Sequence, residues 1–128
     1  MSSIIKEHET TRIKLKAFSN ALAELDEIYQ GMSIMQMRVF AAIATHPSIS
    51  GSELAVLLST STPNISRCVE LLCIGKSNRR KATGLGLVEY KIDTEDKRRH
   101  ILTLTFTGRL MAKVISIQLN GTSSTHST

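Results

Sequence analysis

The sequence is poor in the residues on which several classes of protein depend. It has no Trp, three Phe and two Tyr in 128 residues, so it has few rings on which the bases of single-stranded nucleic acid would stack. No window holds the roughly 18 apolar residues of a membrane span, and the opening MSSIIKEHETTR lacks the apolar run of a signal peptide. We therefore expect an intracellular, cytoplasmic protein with no membrane partner, and not a single-strand-binding module.

Residues for catalysis and metal binding are also sparse. Cys68 and Cys73 lie five residues apart, a spacing that matches neither a zinc pair nor a redox C-x-x-C motif. Both fall within one apolar helical stripe, which favours two small buried hydrophobes over a redox pair. The histidines are scattered along the chain, at His8, His46, His100 and His126. Because no nucleophile with its base and no ligand cluster is evident, the sequence predicts no enzyme, no metal and no cofactor.

Positive charge is concentrated in one part of the chain. The formal net charge is +5, but residues 61–113 carry eleven Lys and Arg side chains against five carboxylates, which leaves the rest slightly negative. A basic segment of this kind is typical of a protein that binds a polyanion, because neutralised phosphates release condensed counterions. A solvated basic surface is the alternative.

The stretch STSTPNISRCVELLCI, residues 59–74, predicts a turn followed by a helix with a polar tip. Thr62 is the expected N-cap and Pro63 the first helical residue. Ile65, Val69 and Leu72 then form an apolar stripe of helical period. Asn and Arg side chains match adenine and guanine edges in the major groove. The tip is therefore a candidate DNA contact, with an ordinary solvated helix face as the alternative; its residues are Thr60, Ser61, Pro63, Asn64, Ser66 and Arg67.

Two capping boxes precede this helix. Ser33 with Gln36 opens a helix that we expect to end near Thr45, and Ser50 with Glu53 opens a short helix. The first should bury Met35, Val39, Phe40 and Ile43, and the second Leu54, Leu57 and Leu58. A short helix, a tight polar turn and a polar-tipped helix together indicate a helix-turn-helix.

The ends of the chain predict a dimer. Residues 3–30 form one long predicted helix, whose apolar residues recur every three or four positions as in a coiled-coil seam. The partner of this seam is either the C-terminal helix of the same chain or a second subunit. We expect a homodimer, and the candidate interface residues are Leu15, Phe18, Leu22, Leu25, Tyr29, Met111, Val114 and Ile115.

The remaining segments predict a basic loop, a hairpin and a last helix. Residues 75–86 hold a cluster of candidate phosphate contacts among glycines, namely Lys76, Arg79, Arg80 and Lys81. Residues 87–92 and 100–105 alternate as strands around a charged turn. Thr107 is the expected cap of a helix over residues 108–120, and residues 121–128 contain no apolar side chain and should be disordered. Together, these segments predict one mainly α domain with a small β-hairpin wing, in which residues 32–107 form the winged helix-turn-helix.

The stretch from Asp93 to Gly108, DTEDKRRHILTLTFTG, resembles the wing signature of the multiple-antibiotic-resistance regulator (MarR) family, as do TPNISRCVELL and GLVEY. The resemblance covers about residues 32–108, and the basic loop is longer than the usual family link. It implies a homodimeric winged-helix repressor that binds pseudo-palindromic double-stranded DNA. It further implies that Arg98 enters the minor groove and that Asp96 orients it; the neighbouring Lys97 and Arg99 complete the candidate wing contacts.

Two functions follow as hypotheses. The first is a sequence-specific, DNA-binding transcriptional regulator, whose effect on transcription, operator and control by a small-molecule effector or cysteine oxidation are not defined by the sequence. The second is a winged-helix interaction protein that binds a polymerase or replication partner through the basic loop or the terminal helices. Strong preference for one duplex over others would distinguish the first from the second.

Overall fold

The computed structural model describes residues 2–73 and 85–120. Over these ranges the chain forms helices α1 (Ser2–Ile28), α2 (Ile34–Thr45), α3 (Gly51–Leu57), α4 (Thr62–Leu72) and α5 (Phe106–Asn120), with strands β1 (Val88–Ile92) and β2 (His100–Leu104) before α5. The mainly α fold with a two-stranded hairpin is confirmed. The four basic loop residues at 76 and 79–81 and the tail 121–128 lie outside the described residues. Among the helices described, none combines the length and apolarity needed to cross a membrane.

The chain divides into two compact units. The terminal unit comprises residues up to Gln30 together with those from Lys113, and the central unit comprises Gly31–Ala112. Within the terminal unit, Gln118 Nε2 of α5 donates a hydrogen bond to Glu24 Oε2 of α1 at 3.1 Å.

The buried stripe of α1 differs from the predicted seam. Ala17, Ala21 and Leu25 are buried, at a regular spacing of four residues. Of the predicted seam, only Leu25 is buried; Leu22 is half-buried, while Leu15, Phe18 and Tyr29 are exposed. The predicted α5 residues, Met111, Val114 and Ile115, are half-buried. The predicted seam covers a wide face of the helix because its residues are spaced by both three and four positions. The buried residues are spaced by four alone and form a narrower row.

Helix starts agree with the sequence in two cases and differ in two. Both capping boxes are confirmed, at Ser33 with Gln36 and at Ser50 with Glu53. The predicted cap Thr62 is wrong by one residue, because the Ser61 hydroxyl accepts from Asn64 N at 3.2 Å and Thr62 is already helical.

The last helix also starts earlier than predicted. Its cap is Thr105 and not Thr107, since Thr105 Oγ1 accepts from Gly108 N at 3.0 Å. The same hydroxyl donates to the Gly86 carbonyl at 2.6 Å. A contact remote in sequence therefore selects Thr105 as the cap, and α5 begins at Phe106.

The core of the central unit is built from side chains of α2, α3, α4 and both strands. The most completely buried are Val39, Leu54, Ile65, Val69, Leu72, Leu87, Val88 and Leu102. Phe40, Ile43 and Leu58 are buried as expected, whereas Met35 is half-buried and Leu57 is 45% exposed. Cys68 is buried and Cys73 half-buried. Burial raises the pKa of both thiols, and Glu89 adds to the rise at Cys73, so neither is activated as a thiolate.

The hairpin is attached to the segment before α3. β1 and β2 pair antiparallel with Tyr90 opposite Leu102. Leu102 N also donates to the Ile49 carbonyl at 2.7 Å, forming an isolated bridge on the other side of β2. The base of the wing is thereby held to the helix-turn-helix by backbone as well as by its core side chains.

Gly108 is required where α5 crosses the start of β1. A Cβ at this position would collide with the Leu87 carbonyl oxygen, and Thr105 N donates to that same oxygen at 3.0 Å. We expect Gly108→Ala to lower the free energy of unfolding by about 1 to 3 kcal/mol, the usual cost of overpacking. Urea unfolding checks this, with Gly51→Ala as control, since a Cβ at Gly51 meets nothing within 4 Å. Equal stability of both variants would contradict the close approach.

Candidate nucleic-acid interface

The helix-turn-helix consists of α3, a tight turn and α4. Thr60 N donates to the Ala55 carbonyl at 2.9 Å and Ser59 N to the Val56 carbonyl at 3.2 Å. Ser59 has a φ of 54°, in the left-handed region that few residues other than Gly adopt. These bonds satisfy the turn's backbone and fix the direction in which α4 leaves α3.

The N-terminal tip of α4 is polar and exposed, while its body is buried. Ile65 and Val69 are each 1% exposed, which seats the helix on the core. At the tip, Asn64 is half-buried, and its Nδ2 donates to Thr60 Oγ1 at 2.9 Å. The exposed residues around it are Ser61, Thr62, Pro63, Ser66 and Arg67. The Ser61 and Thr60 hydroxyls thus hold the tip together, whereas Arg67 extends into solvent.

The turn between β1 and β2 is ordered by its own backbone and carboxylates. Asp93 N donates to the Arg99 carbonyl and Arg99 N to the Asp96 carbonyl, each at 2.9 Å. Asp93 Oδ1 accepts from Glu95 N at 3.0 Å, and Asp96 Oδ1 accepts from Arg98 N at 3.1 Å. Each carboxylate therefore closes a local turn of the Asx kind.

Arg98 and Lys97 extend outward from this turn. The Arg98 side chain is 96% exposed, and its Nε lies 4.0 Å from Asp96 Oδ1. At that distance and exposure the ion pair restrains the guanidinium only weakly. Asp96 contributes more by holding the Arg98 backbone than by holding its side chain.

Arg99 has a different environment from its neighbour. Its guanidinium donates to Asp93 Oδ2 at 2.9 Å and also pairs with Glu53 Oε1 of α3. Glu53 Oε1 in turn accepts from Ser50 N at 2.9 Å in the capping box. The structure thus places Arg99, one of the candidate wing contacts, in an ion-pair network between the wing and α3. The sequence pattern predicted only a capping role for Glu53, and no short-range pattern connects positions 53 and 99.

Hydrogen bonds lower the pKa of both carboxylates in this network. At Glu53 the main cause is the Ser50 N–H, followed by the Ser50 hydroxyl and Arg99; at Asp93 it is the Glu95 N–H, followed by Arg99. Asp93 is also the main cause of a raised Arg99 pKa.

These shifts predict loss of stability in acid. A carboxylate whose pKa is lower in the folded than in the unfolded protein stabilises the fold above its unfolded pKa. That stabilisation falls as the pH drops below the ordinary values of 4.5 for Glu53 and 3.8 for Asp93. We expect the wild type to be more stable than the double variant Glu53→Gln, Asp93→Asn at neutral pH and the difference to shrink in acid. Urea unfolding across that range measures it, and a difference independent of pH would contradict it.

The structure brings the α4 tip and the wing into one compact unit, which also holds Asp96, Lys97 and Arg98. Among residues 2–73 and 85–120, no group of three His, Cys, Asp or Glu side chains is arranged to hold a metal ion. The exposed side chains of the α4 tip and the wing supply hydrogen-bonding groups and positive charge.

Comparisons with known proteins identify the fold. No family model matches the chain, and no curated protein matches it. Among solved structures, MepR of S. aureus bound to ethidium bromide is 18% identical with a TM-score of 0.65, covering 98% of this chain and 79% of that one. An S. aureus MepR–DNA complex is 17% identical with a TM-score of 0.62, covering 97% and 89%.

Proteins from two other organisms give the same result. FabT of Streptococcus pneumoniae in complex with DNA is 21% identical with a TM-score of 0.53, covering 89% and 73%. RV1404 of Mycobacterium tuberculosis is 18% identical with a TM-score of 0.63, covering 93% and 74%. From its helix order, its hairpin and these neighbours, this chain has the winged-helix fold of the MarR type.

Proposed function

We propose that this protein is a homodimeric transcriptional repressor that binds a pseudo-palindromic double-stranded DNA operator. The observation that carries the proposal is the polar tip of α4, which stands on a buried body in the same unit as the exposed wing residue Arg98. Two neighbours of the same fold were solved with DNA. A helix tip for the major groove and a wing for the flank are the parts that such binding requires.

The two parts have different roles. In the major groove each base pair presents its own pattern of donors and acceptors, which Asn64 and Arg67 are suited to recognise. A narrow minor groove concentrates negative potential and attracts an Arg side chain such as Arg98. We therefore assign sequence preference at the centre of each half-site to α4 and preference at its flank to the wing.

The dimer is proposed from the terminal unit. Its surface carries large apolar side chains that one chain leaves exposed, namely Ile4, Ile5, Ile13, Leu15, Phe18, Tyr29, Ile117 and Leu119. Large apolar side chains left exposed along two helices are candidates for an interface with a second copy, and fully burying one such side chain contributes about 1.5 to 3 kcal/mol. A symmetric dimer also supplies two copies of α4, as a palindromic operator demands.

The basic loop of residues 75–86 is proposed as an additional phosphate contact. Four Lys and Arg residues among glycines and small polar residues suit neutralisation of phosphates better than recognition of bases. Such contacts act on every DNA sequence alike and make binding depend on salt.

Selection of bound duplexes from a random library tests the proposed function. We expect an enriched motif with two-fold symmetry and half-sites about one helical turn apart. A gel shift with the selected duplex, a scrambled duplex and the DNA upstream of the gene, at a stated salt concentration, then measures preference. Equal binding to all duplexes would overturn sequence-specific regulation and favour an accessory role with a protein partner. A reporter gene placed behind the selected site distinguishes a repressor from an activator.

A further inference from the structure

Arg99 links two parts of the molecule that the proposed function uses separately. Its guanidinium reaches Asp93, at the end of β1, and Glu53, in the first turn of α3. Glu53 also accepts a hydrogen bond from Ser50 N, so these ion pairs connect the wing to the backbone at the start of α3. Arg99 therefore adds a side-chain connection between the wing and the helix-turn-helix to the backbone bridges of Ile49 with Leu102 and of Cys73 with Val88.

We propose that Arg99 is a positioning residue for DNA binding, which holds the wing at a fixed angle to the helix-turn-helix so that Arg98 and the α4 tip meet one duplex together. This inference rests on the proposed function and deepens it. It also changes the role of Arg99 from a direct DNA contact to a brace.

The local backbone explains how adjacent arginines take opposite roles. The bonds from Asp93 N to the Arg99 carbonyl and from Arg99 N to the Asp96 carbonyl fix the turn. The side chain of Arg98 is then 96% exposed, while that of Arg99 is 32% exposed and directed to α3. Any change in the Arg99 link is therefore transmitted to Arg98 over a single peptide unit.

The other attachments of the wing lie away from its turn, so the position of the turn depends on the Arg99 link. The bridge from Leu102 N to the Ile49 carbonyl lies in the middle of β2, away from the turn. Together with buried Leu102 and Val88 it keeps the hairpin folded without Arg99. A second backbone bridge joins Cys73 to Val88 at the start of β1. Both bridges lie away from the turn, so they restrain the position of the turn less than an attachment at the turn itself does.

The ion pairs of Arg99 argue against a direct phosphate contact. Its guanidinium is already paired with two carboxylates, so binding a phosphate would break existing charge-assisted hydrogen bonds. The bridge also requires the shape of arginine, because a planar fork reaches two carboxylates at once and a lysine ammonium is a compact point charge.

Conservative variants separate the link from the bonds around it. Glu53→Gln keeps an acceptor for Ser50 N, since Gln also serves in a capping box, but it loses the charge that pairs with Arg99. Asp93→Asn likewise keeps an acceptor for Glu95 N. Arg99→Lys keeps the positive charge and loses the fork. The matched control is Glu95→Gln, which removes an exposed carboxylate from the same turn.

The sign of the Glu53→Gln effect discriminates between the two roles. Removing a carboxylate near DNA strengthens binding if only charge matters, as we expect for Glu95→Gln. If Arg99 is a brace, Glu53→Gln should weaken binding to the in vitro selected duplex, by about threefold to tenfold, and Arg99→Lys should do the same. The double variant Glu53→Gln, Arg99→Lys should bind no more weakly than either single variant, because both changes break the same ion pair.

Hydrogen exchange supplies a readout that does not involve DNA. In Glu53→Gln the amides of Arg98 and Arg99 should exchange faster, while that of Leu102 stays protected, because only the turn is released. Uniform loss of protection would indicate general destabilisation and overturn the brace.

The outcomes with DNA are distinct. A wild type without preference for any duplex would overturn the proposed function, and the positioning role with it. A selective wild type whose Glu53→Gln variant binds as tightly as Glu95→Gln would overturn the positioning role alone. If Arg99→Lys binds the selected duplex with wild-type affinity and the affinity of Arg99→Gln depends less on salt, Arg99 contacts a phosphate directly.

Discussion

Arg67→Ala and Asn64→Ala are each expected to weaken binding to the selected duplex by about 1 to 3 kcal/mol, or roughly 5- to 150-fold. Both residues lie at the tip of α4, away from the stripe that Ile65 and Val69 bury. Asn64 is already oriented by its hydrogen bond to Thr60 Oγ1, so it loses little side-chain freedom on binding a base edge. Arg67 is exposed, so its alanine variant should change stability little. Asn64→Ala also removes the bond to Thr60 and should lower the free energy of unfolding by about 0.5 to 1.5 kcal/mol.

The decisive measurement is preference, since affinity alone also reflects phosphate contacts. Each alanine variant should bind all four bases more equally at one position of each half-site, while binding to a scrambled duplex changes less. Glu70→Gln is the control, because Glu70 is exposed on the same helix one turn further on, and its loss should shift affinity for all duplexes alike. If both alanine variants keep the wild-type preference, α4 is not the recognition helix.

Local features of the fold could be predicted because each depends on residues a few positions apart. The boxes of Ser33 with Gln36 and Ser50 with Glu53 need only three-residue spacing, and both form. The predicted cap of α4 was wrong by one position because Ser61 and Thr62 can both cap a helix. Thr105 caps α5 in place of Thr107 because its hydroxyl also reaches the Gly86 carbonyl, a bond that spacing does not encode.

Features that join distant segments could not be predicted. The sequence places Glu53 in a cap and Arg99 in a basic wing, and only the fold brings them together across 46 positions. The bridge from Leu102 to Ile49 is of the same kind. On α1, periodicity indicates an apolar surface but not which part of it one chain buries. That division, with Ala17 and Ala21 inside and Leu15 and Phe18 outside, depends on packing in three dimensions.

This division on α1 allows the dimer to be tested without damage to the fold of the single chain. Leu15 is 59% exposed, so an Asp at that position stays solvated in a monomer. In a dimer that covers this surface, two-fold symmetry would bury two unpaired carboxylates, at a cost of about 2 kcal/mol or more in each chain. We expect Leu15→Asp to raise the dimer dissociation constant by roughly a thousandfold. Sedimentation over a range of protein concentrations measures the change.

The control for this variant is Val56→Asp, because Val56 is 81% exposed on α3 in the central unit. It introduces the same charge on a surface outside the terminal helices and should leave the wild-type association state unchanged. Helix content should be kept in both variants, whereas binding to the palindromic duplex should fall in Leu15→Asp, since a monomer contacts only one half-site at a time. A wild type that sediments as a monomer and still binds the palindrome tightly would refute the dimer. Dissociation by Val56→Asp alone would instead move the interface to α3.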